Sequence, residues 1–282
     1  MQRCIFSMQL QDLHKQTSAF KDTNRFPGWF IGHGSPMNVL MDNNFTRSLQ
    51  SMGNSLPDKP NAILVISAHW LTRKGTFVAV TEKPETIYDF YGFPQAMYDV
   101  QYPAPGSPEY AQEVKKAITS TEVQDDKDWG LDHGAWTILK HAFPKADIPV
   151  FQMSIDYSKP AAYHFALANE LQVLRNKGVL IIGSGNIVHN LRAADFHNIS
   201  ANPYPWAQEF DDISKKRIIS REFSDLVNYE KLGQAALMSV PTPDHYYPMI
   251  YSLGLVNDQD EIRFTYEEIQ NASVSMRCFE MK

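Results

Sequence analysis

Ala62-Ile-Leu-Val-Ile-Ser-Ala68, followed at once by His69-Trp70, is the stretch on which the fold turns. It is short, uncharged and rich in β-branched residues, which suits a strand covered on both faces, as in a parallel sheet. Pro149–Ile155 and Val179–Ile182 repeat the pattern, and Trp29–Ile31 and Phe77–Val80 are shorter versions of it. Helical patterns lie between them. From Ala161 to Asn176 an apolar stripe of Phe165, Ala168, Leu171 and Leu174 recurs at three- and four-residue steps. Pro160 suits the first turn of that helix and Gly178 its stop. Glu109–Ile118, Ala135–Ala142 and Trp206–Ile219 also read as helices. Strand–helix alternation predicts an α/β fold, a single domain whose largely parallel or mixed central sheet is flanked by helices. Ile262–Tyr266 and Val274–Phe279 are expected to close the sheet as edge strands.

A chain of 282 residues that is 43% hydrophobic can build one large core. Residues 27–282 are expected to form that domain, behind an N-terminal extension over residues 1–26. The net charge of −6 offers no basic footprint for nucleic acid or an anionic membrane, so neither is expected as a partner. No apolar run approaches the roughly 20 residues of a membrane span. The first thirty residues mix charged and apolar types and do not resemble a secretory signal, so a cytoplasmic location is expected. Cys4 and Cys278 stand near opposite ends without a Cys-x-x-Cys, so neither a thiolate zinc site nor a disulfide framework is indicated and both read as reduced thiols. Nothing in the sequence sets an oligomeric state.

Histidine is the informative residue. Five of the nine follow or adjoin short apolar runs or Gly/Pro turns. They are Ile-Gly-His33-Gly-Ser-Pro, Ile-Ser-Ala-His69-Trp, Leu-Asp-His133-Gly-Ala-Trp, Gly-Asn-Ile-Val-His189-Asn and Thr-Pro-Asp-His245-Tyr. Imidazole is the commonest metal ligand and the usual acid–base group near neutral pH. In parallel sheets ligands collect beyond the carboxyl ends of the strands, so a metal site is expected at that edge. His14, His141, His164 and His197 read as ordinary structural residues. Asp132 either orients His133 or caps the following helix, and Asp244 is a carboxylate partner for His245. His189 could equally be a helix N-terminal residue with a local hydrogen bond. Two loops stand out. Thr81–Pro108 is rich in proline and aromatics, which either wall a pocket for a flat substrate or pack on the core. Asp125–Asp132 reads as a solvated acidic loop. His-Glu-x-x-His, Gly-x-Ser-x-Gly, a dinucleotide fingerprint and a Walker loop are all absent.

At these histidines the chain resembles the class III (LigB-type) extradiol ring-cleavage dioxygenases, in the 4,5-DOPA extradiol dioxygenase branch. The resemblance rests on His33-Gly-Ser-Pro-Met, Ser-Ala-His69-Trp, Asp-His133-Gly-Ala-Trp, Gly-Asn-Ile-Val-His189-Asn-Leu and Pro-Thr-Pro-Asp-His245-Tyr. Gly-Phe-Pro at 92–94 and Tyr-Pro-Ala-Pro-Gly at 102–106 extend it through the aromatic loop. It implies that His33, His69 and His245 bind the metal. His189 would sit beside the metal, as a fourth ligand in a resting or zinc form or as the acid–base residue. His133 would hydrogen-bond substrate or oxygen. Many relatives have a glutamate where this chain has His245. A neutral third ligand suits Zn(II) as well as the Fe(II) that activity would use. The implied partners are a catechol and O2. A zinc hydrolase and a non-catalytic metal-binding interaction module are the competing readings of the same residues.

Overall fold

A computed structural model describes residues 23–282. His14, Cys4 and nearly all of the expected extension lie outside the described residues. A six-stranded sheet runs through the molecule: β1 Gly28–Gly32, β2 Ala62–Ser67, β3 Val150–Gln152, β4 Val179–Gly185, β5 Ile262–Tyr266 and β6 Cys278–Met281. In space their order is β3-β2-β4-β1-β6-β5. The first four are parallel, and β6 pairs antiparallel with both β1 and β5. The sheet is therefore mixed and mostly parallel, as the alternation of elements predicts.

β2 and β4 are buried along their whole lengths. The period of two sends their side chains to two separate cores. Leu64, Ile66 and Ile181 pack with the helices Pro108–Ala117, Ala161–Arg175, Pro205–Ile219 and Tyr247–Gly254. Ile63, Val65, Leu180 and Ile182 face the other way, onto the helices Asn44–Asn54 and His133–Ala142. Full burial of each such aliphatic side chain stabilises by about 1.5–3 kcal/mol, so the two faces together hold the strands in register.

Several expectations change in detail. Pro149–Ile155 divides: β3 joins the main sheet, while Ile155–Asp156 pairs with Leu71–Thr72. Thr76–Ala79 is a strand, but outside the main sheet, paired with Val123–Asp126. That pairing takes Asp125 and Asp126 out of the acidic loop. Val274–Phe279 is not an edge strand. Val274–Ser275 forms a separate ladder with Ile269–Gln270, and β6 lies inside the sheet with β5 as its edge. Met276 extends the separate ladder, its amide donating to the Glu268 carbonyl, whereas the Arg277 carbonyl accepts from the Gly32 amide (3.1 Å) and leads into β6. Among the described residues no helix is long and apolar enough to cross a membrane.

Candidate metal centre

The sheet delivers the histidines to its carboxyl edge. His33 follows β1, and its amide donates to the Gly185 carbonyl at the end of β4 (3.1 Å). Gly34 takes a left-handed φ of +59°, which glycine adopts without strain, and turns the chain away from the ring. His69 stands two residues past β2, and its amide donates to Ser67 Oγ (3.2 Å). His189 lies four residues past β4. His245 sits in the turn before the helix Tyr247–Gly254, and its carbonyl accepts from the Asn186 amide (2.8 Å), which ties that turn to β4. His133 is the first residue of its helix.

Rings from five distant segments thus meet. The ring centroids of His33, His69 and His245 form a nearly regular triangle, with sides of 5.1, 5.3 and 5.0 Å. Three imidazoles bound through one nitrogen each, about 2.0–2.1 Å from a common ion at tetrahedral angles, would stand roughly 5 Å apart by their centroids. The Nε2 atoms of His33 and His69 are 3.2 Å apart. Two nitrogen ligands of one tetrahedral ion are separated by roughly 3.3 Å. His133 lies off the triangle, 3.8 Å from the His69 ring and 5.7 Å from that of His33. Ligating atoms of His33, His69 and His133 nevertheless fall within 4.8 Å of one another, as do those of His189, Asp244 and His245. His189 stacks on the face of His245, with centroids 3.5 Å apart and planes 11° from parallel.

Hydrogen bonds set the proton positions. The Ser184 hydroxyl donates to the Gly134 carbonyl (2.6 Å), so toward His33 Nδ1 (2.9 Å) it can only accept. His33 therefore carries its proton on Nδ1 and keeps a lone pair on Nε2. His245 Nδ1 bonds the carboxylate of Asp244. Asp89 accepts from both the amide and the ring of His133, and its Oδ2 is 3.3 Å from His69 Nδ1. Carboxylates and hydroxyls behind imidazoles are the usual outer support of a metal site.

Burial, and then the neighbouring imidazoles, hold His33 and His69 well below the ordinary histidine value. His189 is lowered in the same way, by burial first and then by His245. Neutral rings, with the Nε2 atoms of His33 and His69 facing each other, fit a divalent cation, which would accept their lone pairs. Burial works against the Asp89 carboxylate, yet the hydrogen bonds from His133 outweigh it and its pKa falls. Asp244 is lowered to about 2 because its bond to His245 outweighs burial. Asp132 is the reverse: burial, aided by Asp89, lifts it to about 6.

Asp132 does not orient His133. It caps the helix by accepting from the Ala135 amide, and it is held by Ser67 and Gln152. That work falls to Asp89, a residue the histidine patterns do not reveal. It sits in the aromatic loop, where nothing in its spacing marks it. Ser184, behind His33, is likewise invisible until β4 is placed beside β1. Nor is His189 at a helix start; it forms an isolated bridge with Val274, and its amide donates to Ser239. Of the residues read as structural, His141 bonds the Asn38 carbonyl, His164 is buried against Tyr251, and His197 is exposed.

The aromatic loop does both things expected of it. Tyr102 is core, its hydroxyl donating to the Phe143 carbonyl (3.0 Å). Phe90 stands edge-on to His133 (5.6 Å) and near Trp136, forming a flat apolar wall beside the imidazoles.

Fold and site together define an α/β protein with an imidazole centre suited to a divalent metal. The family model of the catalytic LigB subunit of aromatic ring-opening dioxygenase matches residues 28–277. The chain belongs to that family and is an extradiol dioxygenase; such enzymes are metal-dependent. It is 48% identical over 258 residues to the 4,5-DOPA dioxygenase extradiol of Escherichia coli (strain K12), covering 90% of this chain and 94% of that protein. The Beta vulgaris protein of the same name is 36% identical over 83% of this chain and 88% of its own length. The crystal structure of an uncharacterized protein from Escherichia coli K12 superposes with a TM-score of 0.79 at 44% identity, covering 91% of this chain and 99% of that one.

Proposed function

We propose that this dioxygenase opens a catechol ring of DOPA type, outside the diol, with O2, at a metal held by His33, His69 and His245. The triangle of 5.0–5.3 Å between those three rings carries the reading. Fe(II) is the metal proposed for activity, and Zn(II) suits the same neutral donor set. The chemistry the metal supplies is Lewis-acid activation of the catechol hydroxyls and electron transfer toward O2.

The chain's own residues supply the rest. His189, kept neutral by burial, takes a catechol proton as general base and later returns it. Its ring stands 3.5 Å from that of His245, closer than the roughly 5 Å between two imidazoles on one tetrahedral ion, which favours this role over that of a fourth ligand. His133 holds the substrate by accepting a hydrogen bond from a catechol hydroxyl at its outer nitrogen. Phe90 lies against the flat ring and excludes water. Both oxygen atoms enter the product: the C–C bond next to the diol breaks, one end becoming an aldehyde and the other a carboxylate. Residues 27–282 make up the catalytic domain in this reading, behind the extension 1–26, and the enzyme works in the cytoplasm.

The test is anaerobic loading with Fe(II), then addition of a catechol and air, comparing DOPA, caffeate and protocatechuate. One O2 consumed per catechol, with a yellow ring-opened product, is expected. No uptake with any catechol at full iron occupancy overturns the reading.

A further inference from the structure

Asp89 reaches the imidazoles from the aromatic loop and touches two of them. The His133 amide donates to Oδ1 (2.9 Å), and His133 Nδ1 lies 2.8 Å from Oδ2. The same Oδ2 stands 3.3 Å from His69 Nδ1. An ionised carboxylate only accepts, so the short contact requires the His133 proton on Nδ1 and leaves Nε2 with its lone pair. The charge of Oδ2 favours the same tautomer of His69, whose Nε2 is the atom that faces His33 Nε2.

We propose that Asp89 is a positioning residue shared by His133 and His69. It sets the proton of His133 on Nδ1 and draws His69 the same way, so that both rings offer Nε2 to the centre. The ligand role of His69 in this inference rests on the proposed metal site. A purely structural role for Asp89, anchoring the loop, is already filled by its neighbours. The Ile87 carbonyl accepts from Trp136 Nε1 (2.9 Å), the Ile87 amide donates to the Leu131 carbonyl (2.7 Å), and the Tyr88 hydroxyl donates to the Val100 carbonyl (2.7 Å). The loop is thus pinned on the amino side of Asp89, and Phe90 packs on Trp136 immediately after it.

The full-length chain and its Asp89→Asn variant are titrated with Co(II), read by the visible ligand-field bands. Asn keeps the shape but turns a donor toward rings that need an acceptor. Cobalt affinity is expected to fall roughly 10–100-fold, with altered bands, while the metal-free unfolding midpoint holds. On loaded enzyme kcat falls and KM is retained. Asp89→Glu, which keeps the acceptors, recovers part of the cobalt affinity. Wild-type affinity and bands in Asp89→Asn overturn the proposal. Nitrogen-15 spectra of the metal-free wild type test it without a variant: Nδ1-protonated His133 is expected, and an Nε2-protonated ring overturns it. A wild type that binds cobalt but opens no catechol defeats the catalytic reading alone. A wild type that opens catechols, beside an unaltered Asp89→Asn, defeats only the Asp89 proposal.

Discussion

His189 and His245 lie parallel at 3.5 Å, yet their surroundings divide their work. His245 leans on the Asp244 carboxylate, a support that fixes the ring and its tautomer for the proposed ligand role. Among the described residues no carboxylate hydrogen-bonds the His189 ring; its main-chain amide is tied to Ser239, and burial favours the neutral ring. His189→Ala is therefore expected to retain bound iron while turnover falls at least about 100-fold. Metal analysis and oxygen uptake on the same sample check this, and loss of the iron would make His189 a ligand instead. Asp244→Asn removes the support of His245 and is expected to weaken metal binding roughly 10–100-fold, measured by competition with a chelating dye. Unchanged affinity would show that the Asp244 charge does not support His245.

At the scale of the element, the helix His133–Ala142 has to start hard against the sheet. A Cβ on Gly134 would come within 2.5 Å of Ser67 Oγ and 2.9 Å of His69 Cδ2. Alanine ordinarily favours a helix over glycine by about 1 kcal/mol. Here Gly134→Ala is expected to act in the opposite direction, because its methyl pushes His69 and the end of β2 apart from the helix. A lower unfolding midpoint together with weaker metal binding is the predicted pair of results. A more stable variant with normal affinity would mean that the helix start moves freely. The helix Asn44–Asn54 shows a different lesson. Its Asn, Ser and Thr content hides it from propensity, but Asn43 and Thr46 form a capping box and Phe45, Leu49 and Met52 line its buried face. That three- and four-residue spacing is written in the sequence. The division of Pro149–Ile155 between two sheets is not, because each half finds a different partner strand.

Across the whole molecule, stability should depend on pH through imidazoles buried in the neutral form. His164, outside the imidazole cluster, is lowered to about 4 by burial, against an ordinary value of 6.5. Its neutral form is the one the fold accepts. Its contribution is complete above pH 6.5 and is lost as the pH falls toward 4, by about 2 kcal/mol at pH 5. Urea midpoints at pH 7.5 and pH 5 should show the loss. His164→Gln, which does not titrate but can still pair with Tyr251, should reduce it. An equal drop in the variant would assign the effect elsewhere. His33, His69 and His189 shift in the same direction and add to the loss, whereas Asp132, raised to about 6, opposes it below that pH.

Local chemistry along the chain was enough to determine the strands β1, β2 and β4, four of the helices that cover them, and the five histidines that meet at the sheet edge. Burial on both faces demands unbroken aliphatic runs, and a polar residue placed just beyond such a run must lie at the edge of the sheet. Convergence was a tertiary outcome. The triangle of His33, His69 and His245 depends on β1, β2 and β4 lying side by side and on the Asn186 amide drawing in the turn that carries His245. Asp89 and Ser184 acquire their partners only when segments far apart in sequence meet, since a hydrogen bond to an imidazole has no signature along the chain. The place of β6 inside the sheet was settled in the same way, by antiparallel pairing with β1 and β5 and not by its own residues.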